Sequence, residues 1–170
     1  MRKIRLSLIA ALSADGFISR GRGVPWHLPA DQAFFRRVLA AHEWLLVGAQ
    51  TFAEMQGCFG SAQQVLVLGQ RALPSWAGPQ CLAVASVTEA MERVAAACGQ
   101  ELLCLGGAMT YAAALPLASQ LWLTRVDAAL GSGLAFPPLG ADWQRQSSRP
   151  HAADAQHAHA MNFEHWIRET

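Results

Sequence analysis

Basic side chains are scarce through the middle of this chain: no Lys or Arg lies between Arg37 and Arg71. Charged residues make up 15% of the whole and the formal net charge is +1, so electrostatics give no case for a nucleic-acid partner. Only four cysteines occur (Cys58, Cys81, Cys98 and Cys104), with no CxxC pair and no metal-like spacing. They read as reduced, mostly buried thiols of a cytoplasmic protein, with no metal site. No run approaches the ~20 apolar residues of a membrane span, and no internal repeat, linker or low-complexity tract stands out. What is present is a 52% hydrophobic chain of 170 residues. That excludes a disordered protein and suits one domain, 1–170, with a substantial core.

Short apolar runs at 4–12, 43–47, 64–68, 81–84 and 102–105 predict strands. None alternates strictly, which suits a sheet covered on both faces. Helical patterns at 30–41, 51–55, 87–98 and 108–115 lie between them; Ser86 or Thr88 can cap the third, and Gly99 ends it. Strands alternating with helices predict an α/β fold with a mostly parallel sheet. After Pro116 the pattern changes: 121–126, 143–148 and 161–167 are strand-like with no helix between them, predicting antiparallel additions at one edge.

The run Val24-Pro-Trp-His-Leu-Pro-Ala-Asp31 sets a carboxylate among apolar neighbours just inside a helix. Its second proline, Pro29, sits where a helix starts without losing a needed N–H. Asp31, Phe35, Val38 and Leu39 then share one helical face, apolar except for the acid. A carboxylate there is costly unless it binds something or holds its proton; alternatively, Asp31 merely suits the positive end of the helix. Two strand–helix junctions, Val47-Gly-Ala-Gln-Thr51 and Leu103-Cys-Leu-Gly-Gly-Ala108, offer glycines that admit a flat ring or a pyrophosphate. Either is also an ordinary tight turn, but together, at the ends of adjacent parallel strands, they form a dinucleotide cleft.

Taken in order, residues 7–18 (SLIAALSADGFI), the PWHLPAD run, residues 47–52, residues 103–107 and residues 121–127 (LWLTRVD) resemble dihydrofolate reductase along nearly the whole chain. The stretch from Asp154 through Asn162-Phe-Glu also looks like the last hairpin of the bacterial enzymes. The resemblance implies a central sheet of about eight strands flanked by about four helices. It implies NADPH as cofactor, with NADH not excluded, and hydride transfer to the carbon of a C=N bond whose nitrogen receives a proton. Asp31 would be the ionisable catalytic group, Trp26 would order water near the reacting nitrogen, and Thr124 would hydrogen-bond the carboxylate. Phe35, Leu105, Met55 and Leu28 would contact substrate. Ala11 and Ile18 would hold the nicotinamide carboxamide, Gly106 and Gly107 would admit the nicotinamide ribose region, Tyr111 would line the nicotinamide pocket, and Ala108 would also bind cofactor. Gly48, Ala49, Gln50 and Thr51 would hold the phosphates, with Leu68, Arg71 and Met109 near the 2′-phosphate.

The chain departs from the family pattern in two places. Basic or hydroxyl residues that favour a 2′-phosphate are replaced by Ala49, Leu68-Gly69 and Met109, leaving Gln70-Arg71 to compensate. The Arg that grips the glutamate tail of folate aligns with Ala62, and a second one with Gly57. A charge-assisted Arg–carboxylate contact contributes roughly 2–4 kcal/mol. Unless Arg36 or Arg37 swings in, its loss predicts a substrate without that tail, such as a free pterin or an iminium formed from a natural-product hemiaminal. The alternatives are a divergent dihydrofolate reductase and a non-catalytic binding protein on the same fold. The other partners predicted are no nucleic acid and no membrane, with the chain a monomer or weak homodimer.

Arg2-Lys3 before an apolar stretch imitates a short signal peptide, but Ser7 and Ser13 interrupt it and it matches the first strand of the resembled fold. His151, His157, His159 and His165 cluster near the C-terminus without a Cys or Glu at ligand spacing, so they read as a surface loop. The six Trp read as mostly core, Trp26 excepted.

Overall fold

A computed structural model describes residues 3–21, 25–69 and 72–169. Its main sheet has eight strands: β1 (Arg5–Ser13), β3 (Trp44–Gly48), β4 (Gln64–Leu68), β5 (Cys81–Val84), β6 (Glu101–Cys104), β7 (Gln120–Val126), β9 (Trp143–His151) and β10 (Met161–Arg168). Their spatial order is β5-β4-β3-β6-β1-β7-β10-β9. All pairs from β5 through β7 are parallel, whereas β10 runs antiparallel to both β7 and β9. Four helices, α1 (Pro29–Ala40), α2 (Ala49–Glu54), α3 (Val87–Ala96) and α4 (Ala108–Ala114), supply the crossovers. The predicted elements are all present, with ends moved by no more than three residues and β4 and β5 falling on their predicted bounds.

Continuous apolar strands make two cores because successive side chains leave opposite faces of the sheet. Leu6, Leu8, Leu46, Leu66 and Cys104 join α3 and α4 residues on one side. Ile9, Leu45, Val47, Val65, Val67, Leu103 and Leu105 pack on the other, against Leu39 and Phe35 of α1 and Phe52 of α2. A third cluster, Leu28, Val126, Met161 and Phe163, seals the start of α1 against the antiparallel edge.

Three local expectations are corrected. The left-handed residue after α3 is Cys98 (φ 59°), not Gly99; Gly99 is required because a Cβ there would lie 2.6 Å from Val94 Cγ1 and 2.9 Å from Trp44 Nε1. Ser86, by contrast, caps α3 as anticipated, its Oγ accepting from the Glu89 N–H at 3.0 Å. Only Cys81 and Cys104 are buried, while Cys58 and Cys98 are exposed. His157 belongs to the core rather than the surface, at 5% exposure. A small two-stranded sheet joins β2 (Phe17–Ser19) to β8 (Leu134–Ala135), and nothing in the sequence pattern announced it.

Candidate active site

The start of α1 follows from its two prolines. Residues 26–28 run extended, with Leu28 at φ −128°, ψ 97°, and Pro29 opens the helix with no N–H to satisfy. Asp31 therefore falls in the first turn, half-buried on the face turned toward the sheet. Burial pushes its carboxyl above the ordinary value of 3.8, and a hydrogen bond with the Thr124 hydroxyl pulls the other way. Thr124 is 2% exposed in β7, in register with Ala11 of β1.

A cleft of about 590 Å³ opens at the C-terminal ends of β3 and β6; Asp31 is not itself among the residues that line it, but Ala11, the register partner of Thr124, is. Two glycine junctions build its floor. Gly48 precedes α2 and Gly107 precedes α4, and the Gly48 N–H donates to the Gly106 carbonyl at 2.6 Å, tying the two turns together. A Cβ on Gly48 would fall 2.6 Å from Thr110 Oγ1, and one on Gly106 (φ +93°) would fall 2.5 Å from the Tyr111 ring. Tyr111 closes the back wall: its hydroxyl lies 2.6 Å from the Ile9 carbonyl and 3.0 Å from that of Leu105. Burial keeps this phenol neutral, with Cys104 and then Asp31 adding to the same effect. The acid on α1 is joined to the cleft through Thr124, which hydrogen-bonds it and pairs in register with the lining residue Ala11.

Of the residues singled out in the sequence, Ala11, Ile18, Gly48, Ala49, Gln50, Thr51, Leu68, Leu105, Gly107, Ala108, Met109 and Tyr111 line this cleft. Gly106 shapes the turn beneath it. Phe35 and Met55 pack on the apolar cluster that contains Leu105. Trp26 packs on the cluster around Leu28, and its Nε1 is buried without a partner among the described residues. Leu28 itself is 1% exposed, wholly inside that cluster. Arg71 lies outside the described residues.

Ser19, Gly21, Glu54, Thr110 and Leu134 also line the cleft and were not anticipated. Glu54 follows Thr51 by one helical turn and could have been found from that spacing. Leu134 comes from a two-residue strand remote in sequence and carries no local signal. Among the described lining residues Glu54 is the one charged side chain, so no described cation faces the cleft.

Across the sheet edge, the loop before β4 shows what stands where the folate-tail Arg was sought. Ala62 is exposed, and its neighbour Gln63 is turned inward, Nε2 donating to the Leu39 and His42 carbonyls at 2.8 and 3.0 Å. This neutral amide satisfies the end of α1 and offers no charge to a ligand.

Residues 5–168 match the family model described as Dihydrofolate reductase. The chain is 33% identical over 159 residues to dihydrofolate reductase type 3 of Salmonella typhimurium, covering 93% of this chain and 94% of that one. It is 26% identical over 166 residues to the dihydrofolate reductase of Neisseria gonorrhoeae, covering 96% and 98%. In fold it is similar to a dihydrofolate reductase from Enterococcus faecalis solved with NADP(H) and RAB-propyl, with a TM-score of 0.80, 23% identity and 99% of each chain covered. The length of the family match, together with the similarity to the Salmonella protein, shows that this chain belongs to the dihydrofolate reductase family.

Proposed function

We propose that the chain is a reductase that uses NADPH to deliver hydride to the carbon of a C=N bond in a ring substrate. The observation that carries this reading is Asp31, a half-buried carboxyl that hydrogen-bonds Thr124, whose strand partner Ala11 lines a glycine-floored cleft. The cleft suits a dinucleotide in size, since ligand pockets run from roughly 300 to 1,000 Å³, and a Cβ at Gly48 or Gly106 would meet its walls. Bound there, NADPH supplies the hydride. Ala11 and Ile18 would hold its carboxamide, while Gly48, Gln50 and Thr51 would receive the phosphates through main-chain and hydroxyl groups.

The side chains do the rest. Asp31 keeps a proton more readily than a solvated carboxyl and stabilises a cationic ring nitrogen once that nitrogen is protonated, which makes the adjacent carbon a far better hydride acceptor. Trp26, whose indole N–H is buried without a partner among the described residues, would donate it to a water held at that nitrogen. Thr124 orients the carboxylate, and Phe35, Met55 and Leu105 exclude solvent from the ring.

Two substrate readings divide on one feature. The stretch from residue 38 to residue 70 has no Lys or Arg, and Gln63 is engaged with α1, so the nearest cations in sequence for an anionic tail are Arg36 and Arg37 of α1, not a residue of the loop before β4. This supports a tail-free ring such as a pterin or a cyclic iminium. The family relatives named above support dihydrofolate instead. Following NADPH absorbance with dihydrofolate, a dihydropterin and a cyclic iminium side by side tests both. Faster turnover of a tail-free compound supports the first, and efficient dihydrofolate turnover at micromolar concentration supports the second. No oxidation with any of them overturns the proposal.

A further inference from the structure

The loop between β9 and β10 carries a buried titratable group that the reaction above does not use. His157 Nδ1 lies 2.7 Å from Asp154 Oδ1, and its Nε2 lies 3.0 Å from the Ala30 nitrogen at the start of α1. A backbone N–H can only donate, so Nε2 accepts and the ring proton sits on Nδ1, directed at Asp154. Asp154 is fixed in turn by the Gln156 and His157 main-chain N–H groups, which donate to its Oδ1 at 2.8 and 2.9 Å. The imidazole N–H, then these amides, hold its carboxyl below the usual carboxylate range.

Donor atoms of His151, Asp154 and His157 come within 4.8 Å of one another, a grouping that could suggest a metal ion. An ion on Nδ1 would drive the ring proton to Nε2, where it would face the Ala30 N–H. The ring is committed to the helix instead.

We propose that His157 is a positioning residue for α1: a neutral imidazole that caps the turn bearing Asp31 and lets it go on protonation. Leu28 gives α1 no side-chain cap and Pro29 has no N–H, so the acceptor for Ala30 comes from a loop 127 residues away. Protonation converts Nε2 into a donor facing a donor and adds positive charge at the positive end of the helix. Asp154 pairs with the ring in either state and keeps it from swinging clear.

Charged and titratable groups on the adjoining segments include His27 before α1, Asp31, Arg36 and Arg37 on it, Arg125 on β7 and Asp127 after it, Arg145, Arg149 and His151 on β9, Asp154 and His159 in the loop, and Glu164 on β10. The His151 ring centroid is 4.4 Å from that of His157, the Arg149 guanidinium lies over Phe163 at 5.1 Å, and Glu164 is taken up by Arg125 and Arg145.

The test uses the full chain and the variants His157→Gln, whose amide oxygen reaches about as far as the imidazole Nε2 and accepts from Ala30 without titrating, and His157→Leu, which removes the acceptor. The Ala30 amide and His157 imidazole NMR signals are followed from about pH 8 to pH 5, with kcat/KM measured alongside. In the wild type the Ala30 amide should shift in step with imidazole protonation. The ratio of wild-type to His157→Gln kcat/KM should then fall about fivefold between the two ends of that range, with cofactor KM unchanged. His157→Leu should be slower throughout; if it does not fold, His157→Gln alone carries the comparison. An Ala30 amide that ignores the imidazole, or superimposable pH profiles for wild type and His157→Gln, would overturn the proposal. The kinetic readout rests on the role given to Asp31, whereas the NMR readout does not. Absent turnover with a normal Ala30 titration therefore overturns the functional reading and supports the cap.

Discussion

Asp31 is placed where burial and helix polarity oppose each other, and burial wins: its carboxyl is raised from 3.8. The consequence for stability has a definite sign. The folded state holds this proton more tightly than the unfolded state, so the contribution is complete below about pH 3.9 and is lost as pH rises through the folded value. Asp31→Asn should therefore melt higher than wild type at pH 7, with the difference closing near pH 4 in calorimetric scans. Asp15 behaves in the opposite sense. Ser13 Oγ and the Leu130 and Gly131 main-chain N–H groups donate to it, lowering its carboxyl to about 2. Its contribution is present above the unfolded value and disappears as pH falls toward 2. Asp15→Ala should consequently be less stable than wild type at pH 7 and indistinguishable from it near pH 2, as read by denaturant midpoints.

At the scale of elements, the glycines divide into those that permit a backbone conformation and those that permit a close approach. Gly106 does both, with φ +93° and the Tyr111 ring 2.5 Å from any Cβ. Gly106→Ala should cost about 2–5 kcal/mol of stability in urea unfolding and weaken nucleotide binding along with it. Gly99 does only the second, which is why its reading as the stop of α3 failed: a capping glycine and a close-contact glycine look alike in sequence. The left-handed position is held by exposed Cys98, and Cys98→Gly should gain about 0.5–1 kcal/mol, seen as a raised urea midpoint. The helix starts were more legible. Pro29 and Ser86 declare themselves through chemistry local to a few residues, and the acid of α1 follows once Pro29 is placed.

For the whole molecule, apolar runs of four to nine residues alternating with helical patterns were enough to anticipate the parallel sheet, because burial on both faces writes itself into its central strands; β9, exposed along most of its length, was legible only as part of the helix-free stretch after Pro116. The cleft was legible for a related reason, since strand–glycine–helix junctions are local and two of them fell on neighbouring strands. Contacts joined only in space left no such trace. The β2–β8 pair brings Leu134 to the cleft, and the β9–β10 loop brings His157 under α1; in each case the partners are over a hundred residues apart and the elements too short for periodicity. Gln63 belongs to the same class, an ordinary loop amide whose role is set by the carbonyls of α1 it reaches.

The central claim is that a shielded acid on α1 governs protonation of a ring nitrogen during hydride transfer. Single-turnover loss of reduced nicotinamide absorbance, with dihydropterin and dihydrofolate as acceptors, tests it most directly when wild type and Asp31→Asn are compared across pH. The wild-type rate should fall as pH rises through the elevated carboxyl value, and Asp31→Asn should be slower by about 10²–10⁴-fold at pH 7 with that pH dependence gone. An Asp31→Asn protein that transfers hydride at the wild-type rate would contradict the account.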